Sequence, residues 1–182
     1  TGKLIEKTLL KNNDRSDFDY VSNPEFLREG SAIKDFLIPD RLVIGARNEK
    51  AFSIMKEVYR PFFINDTPIL NTSVETAELI KYASNAFLAL KISYINEIAN
   101  LCETVGADIH HVAKAMGQDG RISAKFLHPG PGFGGSCFPK DTMALVNMGK
   151  KFNHPVRTVE AAIEVNKKQF LRMINKIDSL LD

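Results

Sequence analysis

The stretch ETAELIKYASNAFLALKISYINEIANLCE, residues 75–103, constrains this 182-residue chain more than any other. Ile80, Ala83, Phe87, Leu90, Tyr94, Ile98, Leu101 and Val105 recur at three- and four-residue steps, which predicts one long helix over about 74–105. Leu79, Ala86, Ile92, Ile95 and Cys102 form a second apolar face. A helix that is apolar on two sides needs cover on two sides. It is therefore expected at the centre of a bundle or at a subunit interface. Thr72 and Glu75 read as a capping box in front of it, and Gly106 as its stop.

The rest arranges itself around that helix. Residues 2–12 read as a short helix, 17–22 as a half-buried strand and 23–40 as mostly loop. Residues 41–46 and 68–73 read as strands, with a helix between them that Asn48 caps and Pro61 stops. That order is the tail of an α/β unit. Beyond the long helix, Asp108 opens a helix to about Gly117, and Pro139 opens one that Gly149 closes. Pro155 opens the last, with Val159, Ile163, Asn166, Phe170, Ile174, Ile177 and Leu181 in a ladder. The expected class is α+β. Residues 1–73 are the last strands and helices of a Rossmann-like α/β domain, and 74–182 an all-helical domain ending in a long helix. Both ends look cut, so a piece of a longer protein is expected.

Composition excludes more than it selects. Apolar residues make up 44% and charged residues 25%, with a formal net charge of +2 and interspersed signs, which argues against a nucleic-acid partner. No segment has the length and apolarity of a membrane span or signal peptide. Two cysteines do not make a disulfide framework, so a cytoplasmic setting is expected. His110, His111, His128 and His154 show no metal-ligand spacing, and no metal is expected.

Residues 130–141, GPGFGGSCFPKD, carry the chemistry. Gly130, Gly132 and Gly135 satisfy G-x-G-x-x-G, but no strand precedes them and no βαβ unit follows, so the pyrophosphate-cradle reading is rejected. The nucleophile reading is stronger. Gly134 and Gly135 clear space beside Cys137, and Pro139 places that cysteine at a helix entrance, where free N–H groups and Lys140 favour a thiolate. Asp141 suits the first turn and is able to hold a water or a proton. Cys102, among apolar positions, reads as an ordinary buried thiol.

This loop resembles the catalytic-cysteine loop of the nucleotide-sugar dehydrogenases. NPEFLREGSAIKDFLIPDRLVIG (23–45) resembles their substrate-gripping loop and following strand, and 75–103 their central dimerisation helix. Three long motifs in family order cover essentially the whole chain. The resemblance implies NAD as cofactor, a UDP-sugar as substrate and a homodimer through the helical domain. It also implies that the family's glycine fingerprint and C-terminal UDP-binding domain lie outside the chain.

The reaction implied is oxidation of UDP-glucose to UDP-glucuronate by two hydride transfers, through a thiohemiacetal and a thioester on Cys137. Lys81 and Asn85, four apart on one helix face, become oxyanion donors. Glu25 matches the family's thioester-hydrolysis glutamate, with Asp141 as rival or assistant. Phe26, Leu27 and Arg28 (largely by backbone), Glu29, Phe126, His128, Phe133 and Gly134 are expected against the substrate. Arg121 is expected to reach the neighbouring subunit's substrate. Glu29, Cys137 and Lys140 are expected near the nicotinamide. Alternatives are a GDP-mannose or UDP-N-acetylmannosamine dehydrogenase, or a non-catalytic helical dimerisation module. The chain alone is expected to dimerise without turnover.

Overall fold

A computed structural model describes residues 2–11, 18–61 and 66–181. The chain divides into two compact units, Thr1–Lys81 and Tyr82–Asp182.

In the first unit, α1 (Gly2–Leu9) and a six-residue helix, α2 (Ala32–Leu37), precede β1 (Leu42–Gly45). Then come α3 (Glu49–Val58), β2 (Ile69–Thr72) and the start of α4 (Val74–Val105). The strands pair in parallel, Leu42 opposite Ile69 through Gly45 opposite Thr72, with α3 as the crossover. All four residues of β1 are buried, as a parallel strand covered on both faces requires. Asn48 caps α3 as expected, its side chain accepting from the Ala51 N–H at 2.9 Å.

Two expectations here need correction. The strand expected at 17–22 shrinks to one antiparallel bridge between Ser22 and Gly45, with Asp17 outside the described residues. In that register Tyr20 would need Arg47 and Phe18 would need Glu49, where the chain has left β1 and enters α3. On the other side of Ser22, the next hydrogen-bonded pair would set Pro24 against Val43, and proline has no N–H to give. The Asn23 side chain donates to the Val43 carbonyl instead, at 2.8 Å. The stretch expected to be mostly loop, 23–40, is so, with the short α2 inside it. The capping box is displaced by one residue. Thr72 is the last residue of β2, its carbonyl accepting from Ala46, and Ser73 caps α4 by accepting from the Thr76 N–H at 3.2 Å.

In the second unit, α4 is followed by α5 (Ile109–Gln118), α6 (Phe138–Lys151) and α7 (Arg157–Leu181). Gly106 ends α4 at φ +74°, with the Ala107 N–H returning to the Cys102 carbonyl, and Asp108 caps α5 through the N–H groups of His110 and His111. Ala86, Leu145, Val146 and Val159 form a core joined by Tyr82, Val156 and Ile163. Ala89, Ser93 and Ala162 are small and buried, which lets α4 and α7 approach closely; Ser93 Oγ donates to the Ala162 carbonyl at 2.7 Å. Gly149 does not close its helix, which runs to Lys151. It is there because a Cβ would collide with the His154 carbonyl and the Val156 side chain. The last helix begins at Arg157, two residues after Pro155, with the Val156 carbonyl accepting from Glu160.

Candidate active site

In the second unit the chemistry gathers at the start of α6. Cys137 is the N-cap residue, and its carbonyl accepts from the Asp141 N–H at 2.9 Å. Its side chain makes no capping bond and is half-buried, with Sγ 3.6 Å from Ser136 Oγ. The sulfur is thus left accessible at the positive end of the helix. One turn on, Asp141 is 1% exposed. Such a burial is tolerable only with partners. Asn85 of α4 donates to Asp141 Oδ2 at 2.6 Å, and Lys140 Nζ donates to Oδ1. The hydrogen bond to Asp141 holds the Lys140 ammonium above the usual lysine range; the charges of Asp141 and Cys137 add to this, and burial opposes it.

The glycine loop is held by amides that the sequence did not single out for this role. Asn166 of α7 accepts from the Phe133 N–H at 2.7 Å and donates to the Phe133 carbonyl at 2.9 Å. Asn96 of α4 accepts from the Gly130 N–H at 2.8 Å, and Gln169 of α7 donates to the Gly130 carbonyl at 2.8 Å. All three amides are buried. The one signal available was polarity out of place, since Asn166 interrupts an apolar ladder. With Gly130 and Phe133 N–H groups committed to side chains, this loop is not a pyrophosphate cradle.

The expected binding residues of this unit divide by exposure. Gly134 faces open space, and His128 is exposed. The Phe133 ring is buried edge-on against Phe138, 6.2 Å between centroids. Phe126, at φ +65°, packs on the same ring from 6.1 Å. The exposed Arg121 forks onto Asp119, with Nη2 to Oδ2 at 2.6 Å.

In the first unit, Lys81 Nζ donates to Glu25 twice, to its carbonyl at 2.6 Å and to Oε1 at 2.8 Å. Glu25 Oε2 accepts from the Leu27 N–H at 2.7 Å. The Phe26 ring lies under the Arg41 guanidinium, 3.9 Å from its centroid. Arg28 forks onto Asp35, with Nε and the backbone N–H each 2.9 Å from Oδ2, which holds the Asp35 carboxyl well below the usual range. The Arg28 guanidinium is therefore spent on its own loop. Leu27 and Glu29 are exposed.

The fold is thus a parallel βαβ pair followed by a helical unit that holds a half-buried thiol at a helix mouth. Residues 1–63 match the NAD binding domain, and residues 75–168 the central domain, of the UDP-glucose/GDP-mannose dehydrogenase family. The chain belongs to that family, whose cofactor is NAD. It is 53% identical to a UDP-glucose 6-dehydrogenase of Rhizobium meliloti (strain 1021) over 97% of this chain and 41% of that protein. It is 52% identical to the UDP-glucose 6-dehydrogenase TuaD of Bacillus subtilis (strain 168), over 97% and 38%. A solved UDP-glucose dehydrogenase from Pyrobaculum islandicum superposes with a TM-score of 0.86 at 44% identity, covering 91% of this chain and 38% of that one. The chain thus spans about two fifths of the length of the curated relatives it matches.

Within the second unit, Lys140 is exposed and Cys137 half-buried, so neither is closed to a ring such as nicotinamide; Glu29, in the first unit, is exposed as well. No pyrophosphate cradle occurs among the described residues.

Proposed function

We propose that the chain is the catalytic-cysteine segment of an NAD-dependent dehydrogenase that oxidises UDP-glucose to UDP-glucuronate. The observation that carries this reading is Cys137 at the mouth of α6, its side chain unbonded to the cap and flanked by the Lys140–Asp141–Asn85 chain of hydrogen bonds.

NAD+, when bound, supplies the acceptor for each hydride. The sugar's primary alcohol carbon loses a hydride and its hydroxyl loses a proton, giving an aldehyde. The Cys137 sulfur adds to that carbon, and the oxygen takes a proton, giving a thiohemiacetal. Loss of the second hydride and that proton leaves a thioester. Water cleaves the C–S bond, releasing the carboxylate and returning the thiol. Lys81 and Asn85 stabilise negative charge on the substrate oxygen. Glu25, whose side chain is 54% exposed, is able to meet water, whereas Asp141, at 1%, is withdrawn from it. Glu25 is therefore assigned to the hydrolytic water, and Asp141 to holding Lys140 and Asn85.

A second role rests on a different observation. Phe87, Tyr94, Leu101 and Val105 stay exposed along one stripe of α4. This supports association of two copies through α4, and the chain alone is proposed to dimerise without turnover.

The test uses a full-length protein carrying this segment, with NAD+ and each of UDP-glucose, GDP-mannose and UDP-N-acetylmannosamine. Two NADH per UDP-glucuronate, abolished by Cys137→Ala, is the expected result. Turnover with another sugar nucleotide alone would move the protein to a sister activity, and none at all would leave only the dimerisation role.

A further inference from the structure

The amide clamp on the glycine loop has a direction. The Gly130 N–H requires an acceptor, so Asn96 presents Oδ1 to it. The Gly130 carbonyl requires a donor, so Gln169 presents Nε2; its Oε1 is left to accept, and Asn100 donates to that oxygen at 3.0 Å. At Phe133, Asn166 serves both backbone groups at once, as the neighbouring residue of a β-bridge would. Gly132, at φ +119°, is pressed so close that a Cβ there would meet Asn166 Oδ1 at 2.6 Å. Burying amides costs free energy unless their hydrogen bonds are made. Here most of those bonds go to the loop backbone rather than to other core side chains.

Cys137 hangs between two fixed points. Phe133 is clamped by Asn166 on one side, and Phe138 is anchored in α6 and packed edge-on against Phe133 on the other. We propose that Asn166, with Asn96 and Gln169, are positioning residues that set the place of the Cys137 sulfur by templating the loop backbone on α4 and α7. This rests on the reading of Cys137 as the nucleophile, but the templating itself is read separately from turnover.

An Asn166→Asp variant gives a signature that simple loss of packing would not. Protonated, the acid keeps both bonds, accepting from the Phe133 N–H and donating to its carbonyl. Ionised, it loses its donor and repels that carbonyl. Burial raises such an acid above the ordinary aspartate value of about 3.9. In the 182-residue chain, amide hydrogen exchange of residues 130–138 in Asn166→Asp, corrected for intrinsic rates, should match wild type at low pH and accelerate as pH rises. Asn166→Leu should exchange fast throughout. Gln169→Glu carries the same test at Gly130 should the Asn166 variants not fold.

In the full-length protein carrying this segment, kcat of Asn166→Asp relative to wild type should fall about 100-fold as the acid ionises, with KM for NAD+ unchanged. Exchange in both acids indistinguishable from wild type at all pH would overturn the clamp. Opened exchange with unchanged kcat would overturn the positioning role. A wild-type protein that opens in the variants as expected, yet oxidises no sugar nucleotide, would overturn the enzymatic reading while leaving the clamp standing.

Discussion

Asn85 donates to Asp141 at 2.6 Å while both side chains are nearly shut off from solvent, at 8% and 1% exposure. The bond ties α4 to the first turn of α6, one turn beyond Cys137, so its loss is felt in both stability and site geometry. Replacing Asn85 by Leu leaves a buried carboxylate short of a donor and should cost about 2 kcal/mol in urea unfolding. Asn85→Asp should be worse at neutral pH, because two carboxylates then face each other and one is forced to hold a proton in the folded state. That raised folded pKa means its stability deficit shrinks at mildly acidic pH and grows as pH rises. A deficit independent of pH would contradict the pairing.

Arg28 and Asp35 make the complementary case at the surface. Asp35 titrates below its ordinary value because Arg28 grips it with side chain and backbone N–H. Its contribution to stability is therefore present above the unfolded value of about 3.9 and lost as pH falls from there toward the folded one. Carbon-detected NMR titration of the Asp35 carboxyl should place its midpoint below the normal aspartate range. Arg28→Met should bring it back.

Gly45 sits where β1 meets the first turn of α4. A Cβ there would lie 2.5 Å from Ala77 Cβ and 2.7 Å from the Ser73 carbonyl oxygen. Gly45→Ala should destabilise the chain by about 1–3 kcal/mol, because backbone rather than a flexible side-chain tip stands in the way. Thermal unfolding measures it.

The exposed stripe of α4 predicts association. Phe87, Tyr94 and Leu101 follow at seven-residue steps, which on a helix stay on nearly one line. Sedimentation of the 182-residue chain should give a dimer, and a Phe87→Asp, Leu101→Asp double variant should weaken it by at least about 100-fold. A wild-type monomer would remove the interface.

The legible parts of this chain are those set by local rules. The parallel strands, the Asn48 and Asp108 caps and the full run of α4 follow from short-range period and capping chemistry. So does Cys137 at the start of α6. The misread parts are settled by distant partners. Residues 17–22 alternate well enough for a strand, but the folded register of Ser22 with Gly45 sets most of them against residues 46–49, where β1 has given way to α3. Gly149 looks like a stop because the chain at 154–156 that presses on it is not adjacent in the helix. Asn96 and Gln169 are single amides on long helices, tolerable anywhere. Only the fold brings them to the N–H and the carbonyl of Gly130.

The proposed mechanism gives Glu25 and Asp141 different tasks, a division that sequence alone left open. A group that activates water must reach it in the thioester state. Both carboxylates have both oxygens bonded, Glu25 to Lys81 and the Leu27 N–H and Asp141 to Asn85 and Lys140, but that of Glu25 is half-exposed whereas that of Asp141 is buried. In the full-length protein carrying this segment, Glu25→Gln should therefore still form NADH in a rapid burst and then stall, with a sugar-nucleotide adduct on Cys137 visible by intact mass. Asp141→Asn should instead slow the burst itself by about 100-fold, because it releases the Lys140 and Asn85 donors before any thioester exists. An adduct that accumulates in Asp141→Asn and not in Glu25→Gln would reverse the two roles.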